Sequence, residues 1–151
     1  MVELYFDDII NIGKVDADGK KFDKVSRIEA VSEEYEVQVV LDVNSDLYPI
    51  QVGQKFRMVL AQTLNLDGSA VTSYFPEGKQ KSLADKFEYV MHGLLYKISE
   101  EKSASDFKVV VYISFGGLQL SLKGDPSKLA KFKVDQRLFL LMRNEQLYLN
   151  R

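Results

Sequence analysis

Two runs of strict alternation flank a glycine pair, and together they restrict the chain to folds built on antiparallel strands. Phe107, Val109, Val111, Ile113 and Phe115 alternate with mostly less apolar neighbours, the period of a half-buried strand. After Gly116-Gly117, Leu118, Leu120 and Leu122 alternate with Gln119, Ser121 and Lys123. A glycine pair between two such runs supplies the left-handed backbone of a tight hairpin turn. The two strands are therefore expected to pair antiparallel, with Leu118, Leu120 and Leu122 pointing inward.

The same pattern recurs along the chain. Leu4–Ile12 reads as a strand bent near Asp7-Asp8, and Val15–Gly19 as a turn in which Asp-Gly provides a left-handed position. Phe22–Val31 carries apolar residues on both parities, which predicts a bulge, and pairs as a hairpin across Ser32-Glu33-Glu34 with the alternating run Tyr35 to Val43. Phe56, Met58 and Leu60 form a further strand, extending towards Leu64 before a fold-back at Asp67-Gly68. Phe87–Ile98 holds Gly93 mid-strand, where a bulge is expected to turn Leu95 relative to Met91. Residues Ser99 to Asp106 close another hairpin, and Arg137–Met142 is the last strand, with Leu138, Leu140 and Met142 on one face.

Only Pro126–Phe132 reads as a helix, with Asp125 as N-cap and proline at the first helical position. Ser69–Ser82 is rich in Ser, Gly, Pro, Lys and Gln and poor in apolar anchors, so a mobile loop is expected there. Asn144–Arg151 reads as a tail. About eight strands, hairpin connections and almost no helix predict an all-β single domain over 1–151. Long strands with glycine or parity breaks favour a barrel over a sandwich, because corners need them.

Composition bounds function more by exclusion. With no cysteine, disulfides, thiolate metal sites and cysteine nucleophiles are excluded. No apolar run approaches the ~18 residues of a spanning helix, and MVELYFDDII has no basic region before its apolar residues, so intracellular residence is expected. A net charge of −2 without a block of lysines or arginines argues against phosphate-driven nucleic-acid binding.

Candidate chemistry is sparse. Asp16-Ala17-Asp18-Gly19 has its glycine fourth rather than sixth, which fits a hairpin turn and not a calcium loop. His92 is the sole histidine, so a histidine-rich metal site is excluded, and a partly buried, hydrogen-bonded strand residue is expected. Glu33, Glu34 and Glu36 sit at a hairpin tip, where a solvated charge run is the ordinary outcome. No cofactor is expected. Tyr89, Tyr96, Phe107, Tyr112 and Phe115 lie on the central strands. Barrels of the oligonucleotide-binding (OB) type stack bases on such residues, but core packing and protein contact are favoured here.

Five blocks carry a resemblance: DADGKKFDKVSRIEA (Asp16–Ala30), LDVNSDLYPIQVGQKF (Leu41–Phe56), ADKFEYVMHGLLYKI (Ala84–Ile98), SFGGLQLSLKGD (Ser114–Asp125) and DQRLFLLMR (Asp135–Arg143). In this order they resemble the eighth-subunit family shared by eukaryotic nuclear RNA polymerases I, II and III. The resemblance runs from about Phe6 to Arg143, with Phe115 where many members carry tyrosine. It implies an eight-stranded OB-like barrel without catalytic residues, docked on the largest polymerase subunit in the nucleus, nucleolus included. The candidate partner-binding residues are Tyr89, Met91, Tyr112, Ser114, Phe115, Gly116 and Gly117. The rival reading is a free-standing OB module that binds single-stranded nucleic acid.

Overall fold

A computed structural model describes residues 3–20, 22–65 and 82–145. Eight strands make up the fold: β1 (Leu4–Val15), β2 (Val25–Ser32), β3 (Gln38–Asn44), β4 (Lys55–Ala61), β5 (Tyr89–Lys102), β6 (Phe107–Phe115), β7 (Leu118–Gly124) and β8 (Arg137–Asn144). They close into an antiparallel barrel in the order β1-β2-β3-β7-β6-β5-β8-β4, with β4 returning to β1.

Two long strands make the closure possible. The first part of β1 pairs with β4 and its end with β2, while β5 pairs with β8 up to Leu94 and with β6 from there on. A strand that changes partner partway belongs to two sheets at once, and it coils around the corner between them. Register shifts sit at Gly13 of β1 and Tyr96 of β5, with a third near Tyr5.

The alternating residues fill the barrel. Ile10, Ile28, Leu41, Met58, Ile113, Leu120, Leu122 and Leu138 are fully buried in one cluster. A second, smaller cluster lies on the outer face of β4 and β8, where Leu83 covers Val59, Ala61, Phe139 and Leu141. Both faces of β8 are therefore buried, which accounts for its unbroken apolar run Leu138–Met142.

Several local expectations are corrected. β1 does not bend at Asp7-Asp8, which pair regularly with Val59 and Met58. Asp8 instead takes a core-facing parity, and its carboxylate accepts from the backbone N–H groups of Ile9, Glu34 and Tyr35. The buried acid thereby ties the β2–β3 connection to β1. No bulge breaks β2 against β3; the irregularity lies across from it, at Gly13. β3 starts at Gln38 rather than Tyr35, because Glu36 adopts φ 56 and ends the extended run. β4 stops at Ala61, and the fold-back at Asp67-Gly68 lies outside the described residues.

Gly93 does not form a bulge. Met91, Gly93 and Leu95 keep one parity, and the shift falls at Tyr96. A β-carbon on Gly93 would overlap the Ser114 carbonyl and come within 2.6 Å of Phe115 Cδ1, so β6 can cross β5 there only over a glycine.

The expected helix over 126–132 is reduced to a 3-10 turn, Pro126–Lys128, capped by Asp125 as its sequence predicts. Leu129 and Phe132 leave the helical path to bury against the barrel. A second 3-10 turn, Leu83–Lys86, was not expected; Ser82 and Asp85 close it with a reciprocal capping box. Residues 69–81 of the expected mobile loop lie outside the described residues, as do 146–151 of the tail. The tail's first residue, Asn144, belongs to β8 and pairs with Phe56.

Candidate partner interface

The glycine pair is a two-residue hairpin turn between Phe115 and Leu118, which face each other across it. Gly116 and Gly117 have φ 62 and φ 105, the signs that a tight turn matching the strand twist demands. Ser114 Oγ accepts from Gly117 N at 3.2 Å and braces the turn. Among the described residues nothing but the chain neighbours lies within 4 Å of a β-carbon built on either glycine. Their conformation, and no close approach within the barrel, accounts for both.

The candidate residues separate into groups. Ser114, Gly116 and Gly117 form the hairpin tip. Phe115 is buried beneath it, against Gly93, and is a core residue rather than an exposed anchor. Tyr112 lies on the outer face, 6.2 Å from the Tyr96 ring and 5.3 Å from Lys97 Nζ. Tyr89 and Met91 belong elsewhere. The Tyr89 ring stacks on Tyr48 at 4.9 Å, its hydroxyl accepts from Asn44 N at 3.1 Å, and it donates to Met91 Sδ at 3.2 Å. Burial pushes its hydroxyl pKa up, partly offset by the Asn44 hydrogen bond. These contacts hold Tyr89 and Met91 against the barrel core beside the end of β3.

The β3–β7 ladder runs only from Gln38 to Leu41 against Leu120 to Lys123. Beyond it the buried Asp42 takes the place of a backbone partner, and Gln119 N donates to Asp42 Oδ2 at 3.1 Å. Arg27 Nε and Nη2 donate to the same carboxylate at 2.7 and 3.1 Å, a bidentate pair that raises the Arg27 pKa. The backbone of Arg27 is held by Asp16, whose carboxylate accepts from Arg27 N at 2.9 Å.

Asp16, Arg27 and Asp42 line an open groove of about 480 Å³. The rest of the Asp16–Gly19 turn, Phe22 and, from the β6–β7 hairpin, Gly117 and Leu118 also line it. The groove was not anticipated from the sequence. The one signal for it was Arg27 and Asp42 sharing an outward parity on strands expected to pair; they are direct cross-strand partners.

Asp16–Gly19 is a turn, with Gly19 N bonded to Asp16 O at 2.9 Å. His92 differs from expectation. It is exposed and makes no hydrogen bond or ion pair with the described residues, but its ring stacks on Phe139 at 4.1 Å. Partial burial lowers its pKa, and the charge of Arg137 lowers it further. Glu33 accepts from Asn11 at 3.1 Å and lies 3.2 Å from Lys55 Nζ; Glu33, Glu34 and Glu36 are all exposed. Among the described residues no group of three or more His, Asp or Glu side chains is arranged to hold a metal ion.

The RNA polymerase Rpb8 family model matches residues 7–144, from β1 to the last residue of β8. The chain belongs to this family. Among its relatives, subunit 8B of DNA-directed RNA polymerases II, IV and V from Arabidopsis thaliana is 54% identical over 93% of this chain and 95% of the relative. A Dictyostelium discoideum subunit of RNA polymerases I, II and III is 43% identical over 95% and 99%. The Saccharomyces cerevisiae subunit of polymerases I, II and III is 35% identical over 95% and 100%. The family match thus takes in all eight strands but for the first three residues of β1, together with the hairpin tip and the groove.

Proposed function

We propose that the chain is a non-catalytic structural subunit of nuclear DNA-directed RNA polymerases, docked on the largest subunit and supporting assembly of the enzyme. The observation that carries this reading is the family match across all eight strands, with relatives named as polymerase subunits. The contact surface in this proposal centres on the hairpin tip, Ser114, Gly116 and Gly117, with Tyr112 on the adjoining outer face. Phe115 supports that surface from within, and Tyr89 and Met91 are not part of it in this proposal. Residence is nuclear, including the nucleolus for a subunit that serves polymerase I.

The relatives' names divide between polymerases I, II and III and polymerases II, IV and V, so the enzymes served are read from what the chain retrieves. The test is affinity purification of a tagged chain from nuclear extract, followed by cross-linking. Stoichiometric recovery of polymerase, with cross-links to its largest subunit from the hairpin tip, is the expected result. Recovery without polymerase refutes the proposal.

The single-strand-binding reading draws on Tyr96, 40% exposed beside Tyr112 and Lys97. The surrounding charge disfavours it. Lys102, Lys108 and Lys123 each pair with a carboxylate, from Glu100, Asp106 and Glu101 respectively. A face of matched charges releases few counterions on meeting phosphates, so binding at physiological salt is weak. A sub-micromolar dissociation constant for an oligonucleotide at that salt would favour the rival.

A further inference from the structure

We infer that the groove between the Asp16–Gly19 turn and the β6–β7 hairpin tip receives a short peptide segment of a partner protein, with one bulky apolar side chain set between arginines or lysines. The inference rests on the reading of the chain as an assembly subunit and adds the chemistry of what one of its surfaces holds.

The walls argue for the apolar side chain. Val25 and Leu118 are only half-buried where they line the groove, and the Phe22 ring stands at its edge 68% exposed. A large aromatic left in water beside other apolar surface is stabilised when a partner covers it. The cavity is of a size to take a bulky side chain. Gly117 also lines the groove, and among the described residues nothing but its chain neighbours lies within 4 Å of its missing β-carbon, which leaves room for a backbone to pass.

The rim argues for the flanking cations. Among the described lining residues the carboxylates of Asp16, Asp18, Glu29 and Asp42 outnumber one cation, Arg27, whose guanidinium pairs with Asp42. The Asp18 and Glu29 side chains make no hydrogen bond or ion pair with the described residues. Lys20, next to Gly19 in sequence, donates to the Ser26 and Ser45 hydroxyls and is not among the described lining residues. Such a rim repels phosphates and acidic peptides and attracts arginine or lysine on either side of an apolar anchor.

The test uses the full chain, ¹⁵N-labelled, titrated with a heptapeptide that has a central phenylalanine flanked by arginine and lysine. A counterpart with glutamate at every basic position is the control. Amide shifts confined to Asp16–Gly19, Phe22, Arg27, Gly117 and Leu118, with none from the acidic peptide, are expected. Phe22→Ala and the double variant Asp18→Asn/Glu29→Gln should each weaken binding about tenfold. Phe22 is exposed, and the Asp18 and Glu29 carboxylates make no hydrogen bond or ion pair with the described residues, so these variants should be fold-neutral, which unchanged melting verifies. Absent or scattered shifts, or equal binding of the acidic peptide, overturn the inference. Retrieval of polymerase by the tagged wild-type chain is scored separately, so a failed groove and a failed polymerase reading give different results.

Discussion

Replacing Gly93 by alanine tests how the barrel closes. The added methyl would overlap the Ser114 carbonyl and lie 2.6 Å from Phe115 Cδ1, and the first of these is backbone inside the β6–β7 ladder. It cannot rotate away as a side chain would, so β5 and β6 must separate where Leu94 pairs with Ser114. Overpacking of a tight core costs about 1–3 kcal/mol, and a backbone obstacle belongs at the upper end, near 3. Against a total stability of about 5–15 kcal/mol this is a large fraction. For a chain of this size it corresponds to a fall of about 6–12 °C in Tm.

Gly13 is the internal control. A methyl added there would meet only Glu29 O at 3.7 Å, an ordinary contact, and its φ is not left-handed. Gly13→Ala should therefore be neutral or stabilise by up to about 1 kcal/mol, because alanine narrows the unfolded ensemble. Urea and thermal unfolding followed by far-ultraviolet circular dichroism read both variants; the chain has no tryptophan to report instead. If Gly93→Ala unfolds within about 0.5 kcal/mol of wild type, a difference typical of surface substitutions, the close-approach account is wrong.

Leu120 is fully buried, so Leu120→Asp places an unpaired carboxylate in the barrel and should cost several kcal/mol; wild-type melting would refute its inward facing. Asp42→Ala removes the acceptor for Gln119 N and the bidentate partner of Arg27, at about 1–2 kcal/mol by urea unfolding, with Arg27 half in water limiting the loss. Gly117→Ala forces a side chain onto φ 105 and should cost about 1 kcal/mol; polymerase recovery reduced beyond that loss places Gly117 at the contact, and full recovery leaves it a turn residue only. His92 has its folded pKa held below the ordinary value of about 6.5 by burial and by Arg137. As pH falls below that value the unfolded chain takes up the proton first, so stability declines, and His92→Gln should flatten this part of the profile.

The sequence by itself determined what depends on neighbours along the chain. Alternation with period two sets which side of each strand faces inward, so Ile113, Leu120 and Leu122 could be assigned to the core before any fold was known. The β6–β7 turn was legible because positive φ at two successive residues is a local demand that Gly116-Gly117 meets. The Asp125 cap was legible for the same reason, since its carboxylate bonds Ser127 two residues on. The tertiary structure alone decided what depends on a neighbouring strand. Gly93 reads alike as a bulge or a close approach, and only the crossing of β6 over it distinguishes the two. Asp8 reads as a surface acid until the β2–β3 connection brings two further amides to it. The groove is the extreme case. Asp16, Arg27, Asp42 and Gly117 lie on separate segments, and nothing in the local pattern of any one specifies the others. Their meeting follows from the place where β3 and β7 part, which is set by how all eight strands twist to close the barrel.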